Sequence, residues 1–293
     1  MNNTIILTIM NGITYGGLLF MGASGLTLIL GLMGVVNMAH GSYYILGAVV
    51  GWKIVSALSA TLSGIWYFAL LIAGLVVGVL SWLVRKYLFC FVKSADGMGV
   101  TMLTIGLSMA ISDIVLWITN GTAYLIETPS MLTKTVNLGF VQYPGTRLFI
   151  LGVAAVMAIC LWLLMSKTRM GQYIRAGAEN RVIAESLGIN IKAVFTFVFI
   201  MSGFLVGLSG MLGGTYTAFG AGTTDATVLS YSLVIIVLGG MGSLKGAAIG
   251  ALLVGLVDSF SKMVFPQLTA TLIFGIVILV LAFKPQGLFG KEV

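Results

Sequence analysis

Side chains able to do acid–base or ligand chemistry are sparse in this sequence. The single histidine is His40, in VVNMAHGSYY, and the two cysteines, Cys90 and Cys160, lie far apart. One histidine leaves a Ser-His-Asp arrangement or a multi-histidine metal site short of parts from this chain alone. The cysteines suggest neither a disulfide framework nor a metal centre. A glycine-rich lysine segment, GGMGSLKG (239–246), lacks the spacing and the following Ser/Thr of a phosphate-binding loop. No catalytic residues, no metal and no ATP site are expected on this chain.

Three ionisable residues fall in or beside long apolar runs: His40, Asp113 and Asp258. Such residues suggest ion or proton coupling when they lie inside a bilayer. Asp258 is four residues before Lys262, so a helical ion pair accounts for it. Asp113 lies towards the end of its run, where a side chain reaches water cheaply. His40 follows Asn37 at an expected helix break, where freed backbone groups need polar partners. Structural hydrogen bonding and ion transport therefore both remain open for His40.

The elements that position these residues follow from composition. Of 293 residues, 59% are hydrophobic and 8% charged, with a mean hydropathy of +1.12; a soluble domain carries roughly 25% charged residues. FALLIAGLVVGVLSWLV (68–84) and LFILGVAAVMAICLWLLM (148–165) hold no charge, and each can cross a hydrocarbon layer of about 30 Å. The runs are continuous rather than alternating, which excludes a β-barrel. The sequence predicts an all-α polytopic membrane protein forming a single domain, residues 1–293. About nine segments (8–10) are expected: 5–31, 42–60, 63–84, 99–119, 147–166, 193–214, 227–241, 246–263 and 268–284. The first is long and the seventh short, so either can be a broken or half-length helix. MNNTIILTIMNG has no basic residue and no small-residue cleavage site, so a removable signal peptide is not expected.

The net charge of +7 is scattered through short loops, which reports orientation rather than nucleic-acid binding. With 167–192 in the cytoplasm, Arg85, Lys86, Lys93, Lys167, Arg169, Arg175, Arg181, Lys192, Lys245, Lys284 and Lys291 fall inside. Lys53, Lys134, Arg147 and Lys262 fall outside, giving eleven basic residues against four. This predicts a periplasmic N-terminus and a cytoplasmic C-terminus. Glycine, 39 residues, suits close helix packing. LMGVVNMAHGSYYILGAVVG and LGGMGSLKGAAIGALLVG share a run–break–helix pattern compatible with a duplicated half.

The longest basic loop contains GQYIRAGAENRVIAESLGINIK (171–192), with Arg175, Glu179, Arg181, Glu185 and Lys192. ENRVIAESL reads as a short helix bounded by Gly177 and Gly188, the latter a C-terminal stop with Ile189 folding back. Ala178, Val182, Ile183 and Leu187 fall along one side, and Arg181 can pair with Glu185. The helix can lie on headgroups, stay solvated, or dock in a groove of another protein. Its residues leave those options even.

RAGAENRVIAESLGINI (175–191) resembles the coupling loop of ATP-binding-cassette importer permeases of the branched-chain amino acid (LivH-like) family. GLTLILGLMGVVNMAHGSYYILGA (25–48), LGGMGSLKGAAIGALLVGL (238–256) and KPQGLFG (284–290) resemble the same family, in its order. The resemblance implies a multi-pass permease subunit of a bacterial inner (plasma) membrane importer. It implies pairing with a homologous second permease subunit, two cytoplasmic ATPase subunits using ATP and Mg²⁺, and a periplasmic substrate-binding protein. By the same resemblance, Ala178, Glu179, Asn180, Ala184, Gly188 and Ile189 enter an ATPase groove, and Arg181 and Glu185 share that helix. Many relatives carry Glu where this chain has Ser42. Branched-chain or other hydrophobic amino acids are the expected substrates; urea, short amides or aromatic acids are the alternative. Asn37, His40, Ser42 and Tyr43, with Gly239, Gly240 and Gly242, are the expected pathway residues. A secondary transporter coupled to H⁺ or Na⁺ and a passive solute channel are the rival functions.

Overall fold

The computed structural model describes residues 2–59, 64–89, 97–137, 139 and 141–290. Cys90, Lys93 and Lys291, used above, lie outside the described residues. The long helices are α1 (Asn2–Met33), α2 (His40–Leu58), α3 (Ile65–Leu83), α4 (Gly97–Thr119), α6 (Gly145–Lys167), α9 (Ile191–Tyr216), α10 (Thr224–Gly239), α11 (Leu244–Val264) and α12 (Thr269–Phe283). Each coincides with one of the nine expected segments. Among the described residues eight spans, the last comprising Pro266–Phe283, are long and apolar enough to cross a membrane, and α10, at 16 residues, is shorter. The protein is an all-α polytopic membrane protein.

Helices α1 and α9 form the centre. Helix α1 packs along α11, α9 and α6, and α9 packs along α3 and α2. The α1–α11 seam is close because Gly12 and Gly16 face α11 backbone: a Cβ on either would lie 2.9 Å from the Leu256 Cα or the Ala251 carbonyl oxygen. Those contacts keep α1 continuous over 32 residues despite its glycines. It is therefore neither broken nor half-length; of the two segments in question, the seventh, α10, is the short one. The peripheral helices show bare apolar faces to their surroundings, with Trp117 of α4 81% and Ile278 of α12 69% exposed. In water such faces would be unfavourable, so lipid or another chain covers them.

One departure from expectation is local. The break after α1 is shorter than expected, because His40 is the first residue of α2 rather than part of the break. Between α4 and α6 lie a one-turn helix α5 (Ser130–Thr133) and a hairpin of β1 (Thr135–Asn137) and β2 (Gln142–Pro144). Tyr143 of β2 is fully buried, its hydroxyl 3.0 Å from Thr14 Oγ1 of α1. That side-chain bond ties the hairpin to the central helix.

The basic loop folds as two helices, α7 (Arg169–Glu179) and α8 (Arg181–Ser186). Gly177 is not a boundary as expected. It lies inside α7, facing Ile191 and Leu32, where a Cβ would come within 3.0 Å of both side chains. Asn180 makes the break: its backbone turns extended and its Oδ1 accepts the Ile183 N–H at 3.0 Å, capping α8.

Candidate functional site

Helix α6 connects the two ends of the molecule, a distance of roughly 34 Å at 1.5 Å per residue. At its start lies a cavity of about 450 Å³ lined by Glu127, Arg147, Thr215 and Tyr216 among others. Arg147 is held there by Asn11 and lies over the Tyr216 ring. At the other end, α6 runs into α7.

The α7–α8 region is rigid by local bonding. Thr168 Oγ1 accepts the Gly171 N–H at 3.1 Å to cap α7. At the end of α8, Gly188 adopts φ 81°, a conformation that costs a Cβ-bearing residue about 1 kcal/mol. Its N–H bonds the Glu185 carbonyl at 3.0 Å, and the Ile189 N–H bonds the Ala184 carbonyl at 3.1 Å. This is the Schellman closure that Gly188 and Ile189 suggested in the sequence. Arg181 and Glu185 pair at 3.1 Å, as their spacing predicted.

The apolar side of α8 is largely bare within this chain. Only Ala184 is inserted in the core, at 1% exposure, whereas Val182, Ile183 and Leu187 are 72%, 58% and 75% exposed. Ala178, Glu179, Asn180, Arg181, Glu185 and Gly188 are also exposed, and Ile189 is half-buried. The result is a capped helix anchored by one small residue and presenting three aliphatic side chains outward.

The expected pathway residues occupy two places. Asn37, His40, Ser42 and Tyr43 gather at the start of α2. His40 Nε2 donates to the Gly22 carbonyl of α1 at 2.7 Å, a partner that can only accept. Asn37 Oδ1 accepts the Ala39 N–H at 3.1 Å. The Tyr43 hydroxyl is buried facing Ser81 and Asn37, without a hydrogen bond of normal geometry. Ser42 Oγ lies 2.7 Å from Ser108 Oγ and 3.3 Å from Ser112 Oγ of α4.

Gly239, Gly240 and Gly242 lie instead at the α10–α11 turn. Gly239 packs on the backbone of Gly246, Gly240 (φ 93°) on Gly290, and Gly242 against Gly31 of α1. The Leu288 and Phe289 N–H groups bond the Leu238 and Gly239 carbonyls at 2.8 and 3.1 Å. KPQGLFG is thereby stitched to this turn. Among the described residues no hydrogen bond joins the two groups.

Asp258 and Lys262 form the expected ion pair, at 2.6 Å, and Asp113 is exposed on α4. Asp225 is the residue sequence reasoning missed. It sits in the first turn of α10 and is 8% exposed. Its Oδ2 accepts the Ser112 hydroxyl at 2.6 Å, so Asp225, Ser112 and Ser42 form one chain of contacts. The available signal was TTDATVLS, an acid abutting an apolar run too short to span alone.

Bundled apolar helices, one short helix at a buried polar cluster and a protruding capped loop define a multi-pass membrane permease. The chain belongs to the family described as branched-chain amino acid transport system, permease component, whose model matches residues 8–282. The high-affinity branched-chain amino acid transport system permease protein LivH of Escherichia coli K12 is 28% identical over 300 residues, covering 96% of this chain and 94% of that one. BraD of Pseudomonas aeruginosa, of the same description, is 26% identical over 296 residues, covering 97% and 95%. A probable LivH of Methanocaldococcus jannaschii is 27% identical over 297 residues, covering 96% and 91%.

Proposed function

We propose that this chain is one transmembrane half of a binding-protein-dependent importer for branched-chain or other hydrophobic amino acids, powered by ATPases on separate chains. The carrying observation is the α7–α8 loop: a rigid helix with Val182, Ile183 and Leu187 bare, in a family of transport permeases. Three aliphatic side chains clustered on a capped helix suit a groove on a protein better than open water.

In this reading α7–α8 faces the cytoplasm and docks into an ATPase subunit, which binds ATP and Mg²⁺ itself. Closure of the ATPase pair on ATP pulls the loop. Helix α7 follows α6 with Thr168 as the single extended residue between them, and Gly177 rests on Leu32 of α1 and Ile191 of α9. Motion of the loop thus reaches the central helices, which rock to alternate access. The cavity at the start of α6 opens on the opposite side, where a periplasmic binding protein delivers substrate. A homologous second permease subunit covers part of the exposed peripheral faces, and the bilayer covers the rest.

The test is leucine uptake into vesicles holding the assembled complex and its binding protein. Uptake should require ATP on the loop side and persist when the proton and sodium gradients are collapsed. Uptake that survives removal of the ATPases but stops with the gradients would contradict the proposal, and flux indifferent to both would make the chain a channel.

A further inference from the structure

We propose that Asp225, with Ser42, Ser108 and Ser112, forms an intramembrane subsite that takes the α-ammonium group of the amino acid in transit. This deepens the importer reading above and rests on it.

The first observation is position. Helix α2 begins at His40, fixed to the carbonyl of Gly22. Gly22 lies roughly 16 Å before the end of α1 and roughly 30 Å after its start. Gly41, the next residue, packs directly against the Asp225 backbone carbonyl, so any larger residue there would collide with α10. The carboxylate and the serines therefore lie within the span of α1, not at either end.

The second is an incomplete bonding pattern. Asp225 is more than nine-tenths buried, Oδ2 is bonded by Ser112, and Oδ1 has no partner among the described residues. The ion pairs among the described residues are Arg181–Glu185 and Lys262–Asp258, so neither involves Asp225. A carboxylate held in an apolar layer with one oxygen bare is costly, and such groups mark transport pathways. The first turn of α10 offsets part of that cost through the helix dipole.

The third is donor chemistry. Ser112 spends its proton on Oδ2, and Ser42 and Ser108 share protons within the serine chain or with the Ser108 carbonyl at 3.1 Å. What the cluster offers an incoming group is therefore oxygen lone pairs and one negative charge. An ammonium, with three N–H donors and a positive charge, satisfies that set; a carboxylate finds no cationic partner there. Neutral urea or an amide supplies N–H donors without the charge. A sodium ion would fit the same oxygens, and the experiment separates it from the ammonium.

The experiment measures leucine moved per ATP hydrolysed by the complete complex in vesicles with loaded binding protein. Asp225→Asn, which keeps shape and removes charge, should lower that ratio at least tenfold, and Asp225→Glu should restore most of it. Ser112→Ala, a smaller change at the same place, should lower it about threefold. Wild-type uptake should be the same in sodium and in N-methyl-glucamine buffers. Wild-type ratios in both Asp225→Asn and Ser112→Ala would overturn the subsite. So would sodium-dependent wild-type uptake whose dependence disappears in Asp225→Asn, which would make the ligand sodium. If Asp225→Asn does not assemble, the Ser112→Ala ratio decides alone. A wild-type complex without ATP-driven uptake would sink the importer reading, and is thereby distinct from failure of the subsite.

Discussion

The Ile189 N–H donates to the Ala184 carbonyl across Gly188, at 3.1 Å, and Ala184 is the only residue of α8 buried in the core. The bond that ends the helix is therefore anchored on the residue that seats it. Orientation of the three exposed aliphatic side chains depends on this closure.

Gly188 is the place to loosen it. A Cβ there meets nothing within 4 Å, so Gly188→Ala acts through backbone conformation alone. It should cost the loop about 1 kcal/mol and lower binding-protein-stimulated ATP hydrolysis by about fivefold. Gly188→Pro also removes the N–H that bonds Glu185 and should abolish stimulation, while the permease still extracts from membranes as a folded chain.

Val182→Asp and Leu187→Asp alter exposed side chains, so the permease itself should change stability by less than about 0.5 kcal/mol. Copurification of the ATPase subunits should fall more than tenfold for each, since docking would bury an unpaired carboxylate in an apolar groove. Glu179→Arg, which reverses an exposed charge on the same loop, should weaken it less. Affinity capture with quantified ATPase bands checks this.

His40→Ala should destabilise the bundle by about 2 kcal/mol through the lost bond to Gly22 and the space left behind. Thermal unfolding in detergent reads that loss. ATP-driven uptake per folded complex should remain within twofold of wild type, and collapse of uptake would assign His40 a transport role.

Asp258 is 3% exposed by side chain and its partner Lys262 56%. Lys262→Met should destabilise by about 2 kcal/mol by leaving a buried carboxylate with only the distant Tyr231 hydroxyl, 3.4 Å away. Adding Asp258→Asn should recover most of the loss. The pair of melting curves tests whether these residues are structural.

Much of this was legible in the sequence because the signals are local. Apolar runs marked the nine long helices, and the Gly188–Ile189 stop and the Arg181–Glu185 and Asp258–Lys262 spacings each met their partners. Asn180 was harder: a residue inside a good helix-forming stretch ended one helix by capping the next, and Gly177 was read as punctuation when its lack of Cβ serves packing. Asp225 was out of reach for a different reason. Its burial depends on where α10 begins relative to α2 and α4, distant in sequence, and no window around TTDATVLS contains Ser42 or Ser112.

The central claim is that α8 transmits ATPase movement, and site-directed cross-linking of Leu187 tests it most directly. In a chain with Cys90 and Cys160 both replaced by Ser, Leu187→Cys in the assembled complex should be joined by a short bismaleimide to a cysteine in the ATPase groove. The cross-link should form with a yield that changes on ATP addition, and it should stop leucine uptake. Normal ATP-driven uptake by the Leu187→Cys complex, with no cross-link to any ATPase position in either nucleotide state, would contradict the account.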